Sequence, residues 1–286
     1  MRYLILLAAC GRSAPTAEQL DAAHPIDARA IDAAVPQTSV ELKIVTFNLL
    51  HGFPSFENLE QRTDIVVDWI NTVQPDLLAL QEAAQTATMM NRGEIIAQRT
   101  GYHWAWTKAA GVPGVFEEGP GVLSRAPIAA SEGIQLPHVV NTFGVRSATR
   151  AEVDTAAGRV AMVSMHLGGD SPPDVVINAD QATAAESFLM ASAATTHLLG
   201  GDTNATPDEP GMVYLRGQLD DAWQTANPSD PGLTDPVPTA MNRIDYLYVE
   251  RSVQVLACEL LFTAPVNGIY ASDHFGVMCT VRIHGV

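Results

Sequence analysis

The sequence predicts an α/β (α+β) domain in which two packed, mostly antiparallel β-sheets are flanked by helices. Three observations point there. From Glu41 onward, short apolar runs of strand character alternate with segments whose apolar residues recur at helical spacing. Helical segments fall in both halves, whereas the middle and the end of the chain carry successive strand-like runs with little helix between them. Apolar residues make up 47% of the 286 residues, enough for a sizeable core, and no internal repeat is visible.

The elements follow in order. "ELKIVTFN" is a strand. "LEQRTDIVVDWINTV" brings Leu59, Ile65, Val66, Trp69, Ile70 and Val73 near helical spacing. "PDLLALQ" is a strand opened by Pro75, and "MMNRGEIIAQRT" is a helix stopped by Gly101. "GVLSRAPIAASEGIQL", "VRSATRAEVDT" and "GRVAMVSMHL" are strand-like. "AAGR" at 156–159 reads as a hairpin turn, so the last two of these runs are antiparallel. A helix over about 174–192 precedes "HLLGGD". A loop-rich stretch then leads to "RIDYLYV", "VQVLACELLF" and "FGVMCTVRI".

The N-terminus is of another kind. In "MRYLILLAACGRS" one arginine precedes a short apolar segment, Tyr3 to Ala9, and then Cys10. Leu7, Ala8, Ala9 and Cys10 resemble the lipobox of a bacterial lipoprotein. That resemblance implies a signal peptide over 1–9 and a lipid on Cys10. The protein would then be exported and membrane-anchored, facing the periplasm or the cell exterior. An ordinary secretory leader, the other reading, would also export it. No run of about 20 apolar residues is present to span a bilayer. Residues 10–40, rich in Ala, Asp and Pro, read as a flexible linker, and 41–286 as the folded domain. Cys258 and Cys279 both sit in strand-like runs. They could pair in an oxidising compartment or remain buried thiols, and the sequence leaves both open.

Acidic residues outnumber basic ones 32 to 16, for a net charge of −16. This speaks against holding nucleic acid mainly by phosphate neutralisation. It does not oppose gripping a phosphate through a bound cation, which brings the positive charge itself.

Polar residues then fall in a pattern. "IVTFN" ends in Asn48, "LLALQE" in Glu82, "VAMVSMH" in His166 and "HLLGGD" in Asp202, with Asn204 two residues on. "RIDYLYV" begins beside Asp245, and "SDHFGVMCTV" begins with Asp273 and His274. A turn or a cap explains any one of these. Six strand ends together suggest one acidic, histidine-bearing pocket, whose crowded carboxylates call for a hard divalent ion such as Mg²⁺. In extended backbone Asp202 and Asn204, two residues apart, point the same way. Gly200 and Gly201 are expected to clear room for the substrate. Asp273 and His274 can share the site only if "YASDH" bends.

Taken in order, "TFN", "PDLLALQE", "SMHL", "GGDTN", "RIDYLYV" and "SDHFGV" resemble the motifs of the endonuclease/exonuclease/phosphatase superfamily, from about Leu42 to Ile283. The resemblance implies a four-layer sandwich, a monomer, and divalent-cation-dependent cleavage of phosphoester bonds. Mg²⁺ is the expected ion, with Mn²⁺ or Ca²⁺ in its place as alternatives. It implies metal ligation by Glu82, with Asn48 and Asp273. Asp202 would activate water, and Asn204 would bond the phosphate. His166 and His274 would face the phosphate, the latter held by Asp245. Arg146 would contact the phosphate, with Arg150 as its rival. Glu118 would orient His166, or else is a solvated loop residue. Pro120 stands where many members have asparagine, and Phe116 where others have tyrosine. His51, close to Asn48, could line the pocket but reads first as a loop histidine. The substrate stays open among phospholipid headgroups, sugar phosphates and nucleic acid. An exported endonuclease on DNA or RNA is the alternative within the same mechanism. A non-catalytic binding module would have lost at least one of Glu82, Asp202, Asp245 and His274, and all four are present.

Overall fold

A computed structural model describes residues 38–138, 144–169 and 174–285, with only the backbone of 174–176. The proposed signal peptide, Cys10 and nearly all of the proposed linker lie outside the described residues. Among the described residues, no helix is long and apolar enough to cross a membrane.

The chain builds two six-stranded sheets. The first contains β1 (Ser39–Asn48), β2 (Leu77–Gln81), β3 (His103–Trp106), β6 (Gly121–Ser124), β13 (Gln254–Leu261) and β14 (Gly276–His284), in the order β13-β14-β1-β2-β6-β3. The second contains β7 (Ile128–Gln135), β8 (Ser147–Thr155), β9 (Gly158–His166), β10 (Thr196–Asp202), β11 (Asp220–Asp221) and β12 (Asp245–Val249), in the order β11-β12-β10-β9-β8-β7. A two-stranded ribbon, β4 (Gly111–Val112) with β5 (Phe116–Glu117), stands apart. Among the described residues, only β1–β2 and β9–β10 pair in parallel. The helices are α1 (Leu59–Val73), α2 (Arg92–Thr100), α3 (Asp174–Met190), α4 (Pro210–Gln218) and α5 (Ala222–Ala226).

Strand alternation explains the four layers. Ile44, Leu77, Leu198 and Leu247 point into the core between the sheets. Their neighbours Val45 and Leu78 turn to the opposite face, where Val66 and Ile70 of α1 and Ile96 of α2 cover them. Leu199, Tyr246 and Tyr248 turn to α3 and α4, meeting Ala182, Leu189, Met212 and Leu215. The central strands are buried on both faces, so they read as continuous apolar runs.

Two expectations are refined. The run "GVLSRAPIAASEGIQL" is two strands, because β6 and β7 belong to different sheets and the chain crosses between them around Pro127. Cys258 and Cys279 face each other across β13 and β14 and form a disulfide, with Cα atoms 4.1 Å apart. The 156–159 hairpin stands as expected, pairing β8 with β9.

Candidate active site

The sheet registers assemble the site at one end of the sandwich. β1 and β2 run in parallel and bring Asn48 and Glu82 to the same edge. β9 and β10 run in parallel and put His166 opposite Asp202. β12 runs against β10, so its first residue, Asp245, also pairs with Asp202. Asp273 and His274 lie in the bend before β14, as the shared site required. Ser272 ties that bend: its hydroxyl donates to Asp273 Oδ1 (3.1 Å) and accepts from the His274 N–H (3.3 Å).

The glycines act otherwise than the sequence suggested. A Cβ on Gly201 would lie 2.2 Å from the Met165 carbonyl oxygen, and one on Gly200 would lie 2.9 Å from Ala79 Cβ in the other sheet. They let β10 pack against β9 and let the two sheets close behind the site. They do not clear space for a substrate. The strand-alternation argument for Asp202 and Asn204 is also corrected. β10 ends at Asp202, and Asn204 takes a left-handed φ of 49°, which asparagine tolerates. A local turn joins the two, with the Asn204 N–H donating to Asp202 Oδ1 at 2.9 Å.

Hydrogen bonds knit the site. Asn48 Nδ2 donates to Glu82 Oε1 (3.1 Å) and Asp202 Oδ2 (2.9 Å), and so bridges two carboxylates. Asn204 Nδ2 lies 3.1 Å from His166 Nε2. Arg146 Nη1 lies 3.1 Å from each nitrogen of the same ring. Arg150 points elsewhere, to the Phe188 carbonyl and Glu132. Glu82, Arg146, His166, Asp202, Asn204 and His274 line a cavity of about 230 Å³, with His51, Phe53 and Phe116 on its rim. Glu118 lines it too and is buried rather than solvated. A larger cavity, about 540 Å³, lies beside α4 and α5 and holds none of these groups.

The two histidines differ in charge. Burial alone would push His274 down, yet Asp245, at 2.9 Å from its Nδ1, with Asp202 and Asp273, holds it up at about 11. His274 is therefore an imidazolium whose Nε2 faces Asp202 Oδ2 at 3.8 Å. Burial pushes His166 well down, and Arg146 and His274 push it further, so its ring is neutral. Burial, with Asp245 nearby, raises Asp202 above the usual carboxylate range. That makes it a better proton acceptor near neutral pH than an ordinary aspartate.

The oxygen donors show whether a divalent cation suits the pocket. Burial and then Glu82 push Glu118 up to about 7, and one of its oxygens is buried without a hydrogen-bond partner. Burial raises Asp273 as well, with Glu82 adding to it. Crowded carboxylates of this kind, with an amide beside them, suit a hard ion. Asp202, Asp245 and His274 also bring ligand atoms within 4.8 Å of one another.

His51 takes the pocket-lining alternative: its backbone N–H donates to Glu82 Oε2 (2.8 Å) and its Nε2 lies 3.6 Å from the same oxygen. Sequence reasoning missed one neighbour. Asp235 reaches within 3.9 Å of His274 Nε2 from a loop with no motif to mark it.

Solved structures share this fold. An endonuclease/exonuclease/phosphatase family protein from Leptotrichia buccalis is 21% identical, with a TM-score of 0.70 over 84% of this chain and 99% of its own. Zebrafish (D. rerio) TDP2 complexed with a single-strand DNA product is 18% identical, with a TM-score of 0.66 over 84% and 98%. The human nocturnin catalytic domain with bound sulfate is 18% identical, with a TM-score of 0.67 over 86% and 96%. No curated protein sequence matches. Residues 45–274 match the Endonuclease/Exonuclease/phosphatase family, and across that span lie the strand ends that build the pocket; the chain belongs to this family.

Proposed function

We propose that this chain, a member of a family of phosphoesterases and nucleases, hydrolyses phosphoester bonds, most of all phosphodiesters, with Mg²⁺ bound. One observation carries the reading. A raised Asp202, a charged His274 and Glu82 meet in a single cavity, with Asp273 beside His274 and near enough for Glu82 to help raise it. Glu82 and Asp273 would hold the ion, with Asn48 linking Glu82 to Asp202. When bound, the ion supplies positive charge against the phosphate oxygens.

The chain's own groups do the rest. Asp202 takes a proton from water, whose oxygen bonds to phosphorus as the P–O bond to the leaving alcohol breaks. That proton then passes to the leaving oxygen. The His274 imidazolium donates to the phosphate oxygens as charge builds on them, and Asp245 holds it charged and oriented. Neutral His166, fixed by Asn204 and Arg146, lines the same cavity.

The N-terminal lipobox supports an exported, membrane-anchored protein, and the Cys258–Cys279 disulfide is in keeping with an oxidising compartment. Nucleic acid is the second reading of the substrate, favoured by the likeness to TDP2 in complex with a DNA product. Hydrolysis of bis-4-nitrophenyl phosphate is expected with Mg²⁺, to be lost with EDTA and in Asp202→Ala. Turnover that survives EDTA or Asp202→Ala would refute the mechanism. Plasmid DNA, RNA, sphingomyelin and inositol phosphates then sort the substrate. Cys10→Ser is expected to release the protein from the membrane fraction.

A further inference from the structure

The ribbon β4–β5 stands at the mouth of the cavity. Its tip is Val112-Pro113-Gly114-Val115, closed by the Val115 N–H donating to the Val112 carbonyl at 3.0 Å. Pro113 followed by Gly114 at φ 73° is the sequence of a tight, preset turn. Its base is pinned: Glu117 accepts from Gln85 Nε2 (2.9 Å) and pairs with Lys108 Nζ (2.6 Å). Val112 is 41% exposed and Val115 59%, which is unusual for valine on a rigid turn.

This tip is continuous with the candidate site. Val112 and Phe116 are cross-strand partners and share one face. The Phe116 ring sits 4.7 Å from Phe53 and 5.1 Å from His51, and all three line the catalytic cavity. Phe53 is itself 39% exposed. An apolar shelf thus runs from the tip through Phe53 and Phe116 to the phosphate-facing groups.

We propose that this shelf selects the substrate: it receives the aliphatic alcohol portion of an amphiphilic phosphodiester whose phosphate lies in the cavity. The inference rests on the phosphoester reading and adds the substrate class. Two features favour an aliphatic group over a nucleic acid strand. The tip carries only valine, proline and glycine. Its neighbouring cation, Lys108, is already neutralised by Glu117, where a strand would need cations for its further phosphates.

The test uses methyl, butyl and octyl 4-nitrophenyl phosphates with Mg²⁺, below micelle-forming concentration, beside the thymidine 5′ ester. A fully buried methylene is worth roughly fourfold in binding, so a half-exposed shelf gives about twofold in kcat/KM per methylene until the chain outruns it. In Val112→Ser/Val115→Ser, and more weakly in Val115→Ser alone, the rise with chain length flattens while the methyl ester is unchanged. Both changes are on an exposed turn, and thermal melting verifies the fold. Methyl ester hydrolysis with no gain toward octyl overturns the shelf alone. So does a full gain retained in the double variant, or thymidine preferred over octyl. If no ester is hydrolysed, the phosphoester reading falls and the shelf with it. A gain seen only above micelle formation would assign the shelf to lipid aggregates rather than to dissolved amphiphiles, and would overturn binding of the single molecule.

Discussion

Gly201→Ala probes the packing that aims Asp202. The added methyl would lie 2.2 Å from the Met165 carbonyl oxygen and 2.6 Å from Met165 Cγ. Non-bonded carbons settle about 3.5–4.0 Å apart, so β9 and β10 would have to part by about 1 Å. The obstacle is backbone and cannot rotate away. Overpacking costs about 1–3 kcal/mol, and this contact belongs at the upper end. At about 2–4 °C per kcal/mol for a domain of this size, melting should fall by about 6–12 °C. Gly217→Ala is the control. It lies in α4 with nothing within 4 Å of its Cβ position. It should gain about 0.5–1 kcal/mol from helix propensity. Thermal melts followed by circular dichroism, with urea titrations for the free energy, measure both. Activity on bis-4-nitrophenyl phosphate should fall in Gly201→Ala even where it is folded, because Asp202 is the next residue and faces His166 across the same ladder. A Gly201→Ala protein melting within about 1 °C of wild type would refute the close-packing account.

Three further outcomes are expected. Asp245→Asn removes the carboxylate that holds His274 at about 11; two unit charges about 4 Å apart at an effective dielectric of about 20 interact by about 4 kcal/mol, or about 3 pKa units. The charged ring is then lost as pH rises through about 8, so kcat/KM declines there in the variant but not in wild type; parallel profiles would contradict this role of Asp245. Arg146→Ala should lower kcat/KM about 10²-fold, whereas Arg150→Ala should spare activity and cost about 1.5–3 kcal/mol in urea unfolding through its bonds to Phe188 and Glu132. Replacing both Cys258 and Cys279 by serine frees a 21-residue separation and should cost about 3 kcal/mol, read as a lower urea midpoint that reductant reproduces in wild type.

Much of the site could be read from the chain because strand ends are local. An apolar run that stops at Asn48, Glu82, His166 or Asp202 marks the end of a buried strand whatever its partners. The bend at Ser272–His274 was also foreseeable, since two adjacent residues cannot face one pocket from a regular strand. Other features depended on partners far away in sequence. Arg146 and Arg150 are four residues apart on or beside one strand, and nothing local separates their roles. One meets His166 and the other meets Phe188. Glu118 reads equally as a site carboxylate or a solvated loop residue until the fold buries it beside Glu82.

The sequence by itself determined which segments are strands, which residue types stand at their ends, and hence the family and its oxygen-rich chemistry. Those follow from period and side-chain type, which are properties of short segments. Tertiary structure alone decided what the double glycine is for, which histidine is charged and which is neutral, and that an apolar ribbon borders the cavity. Those depend on distances between groups remote along the chain. Burial and Coulomb interactions act through space, and only the folded sheets bring the groups within their range.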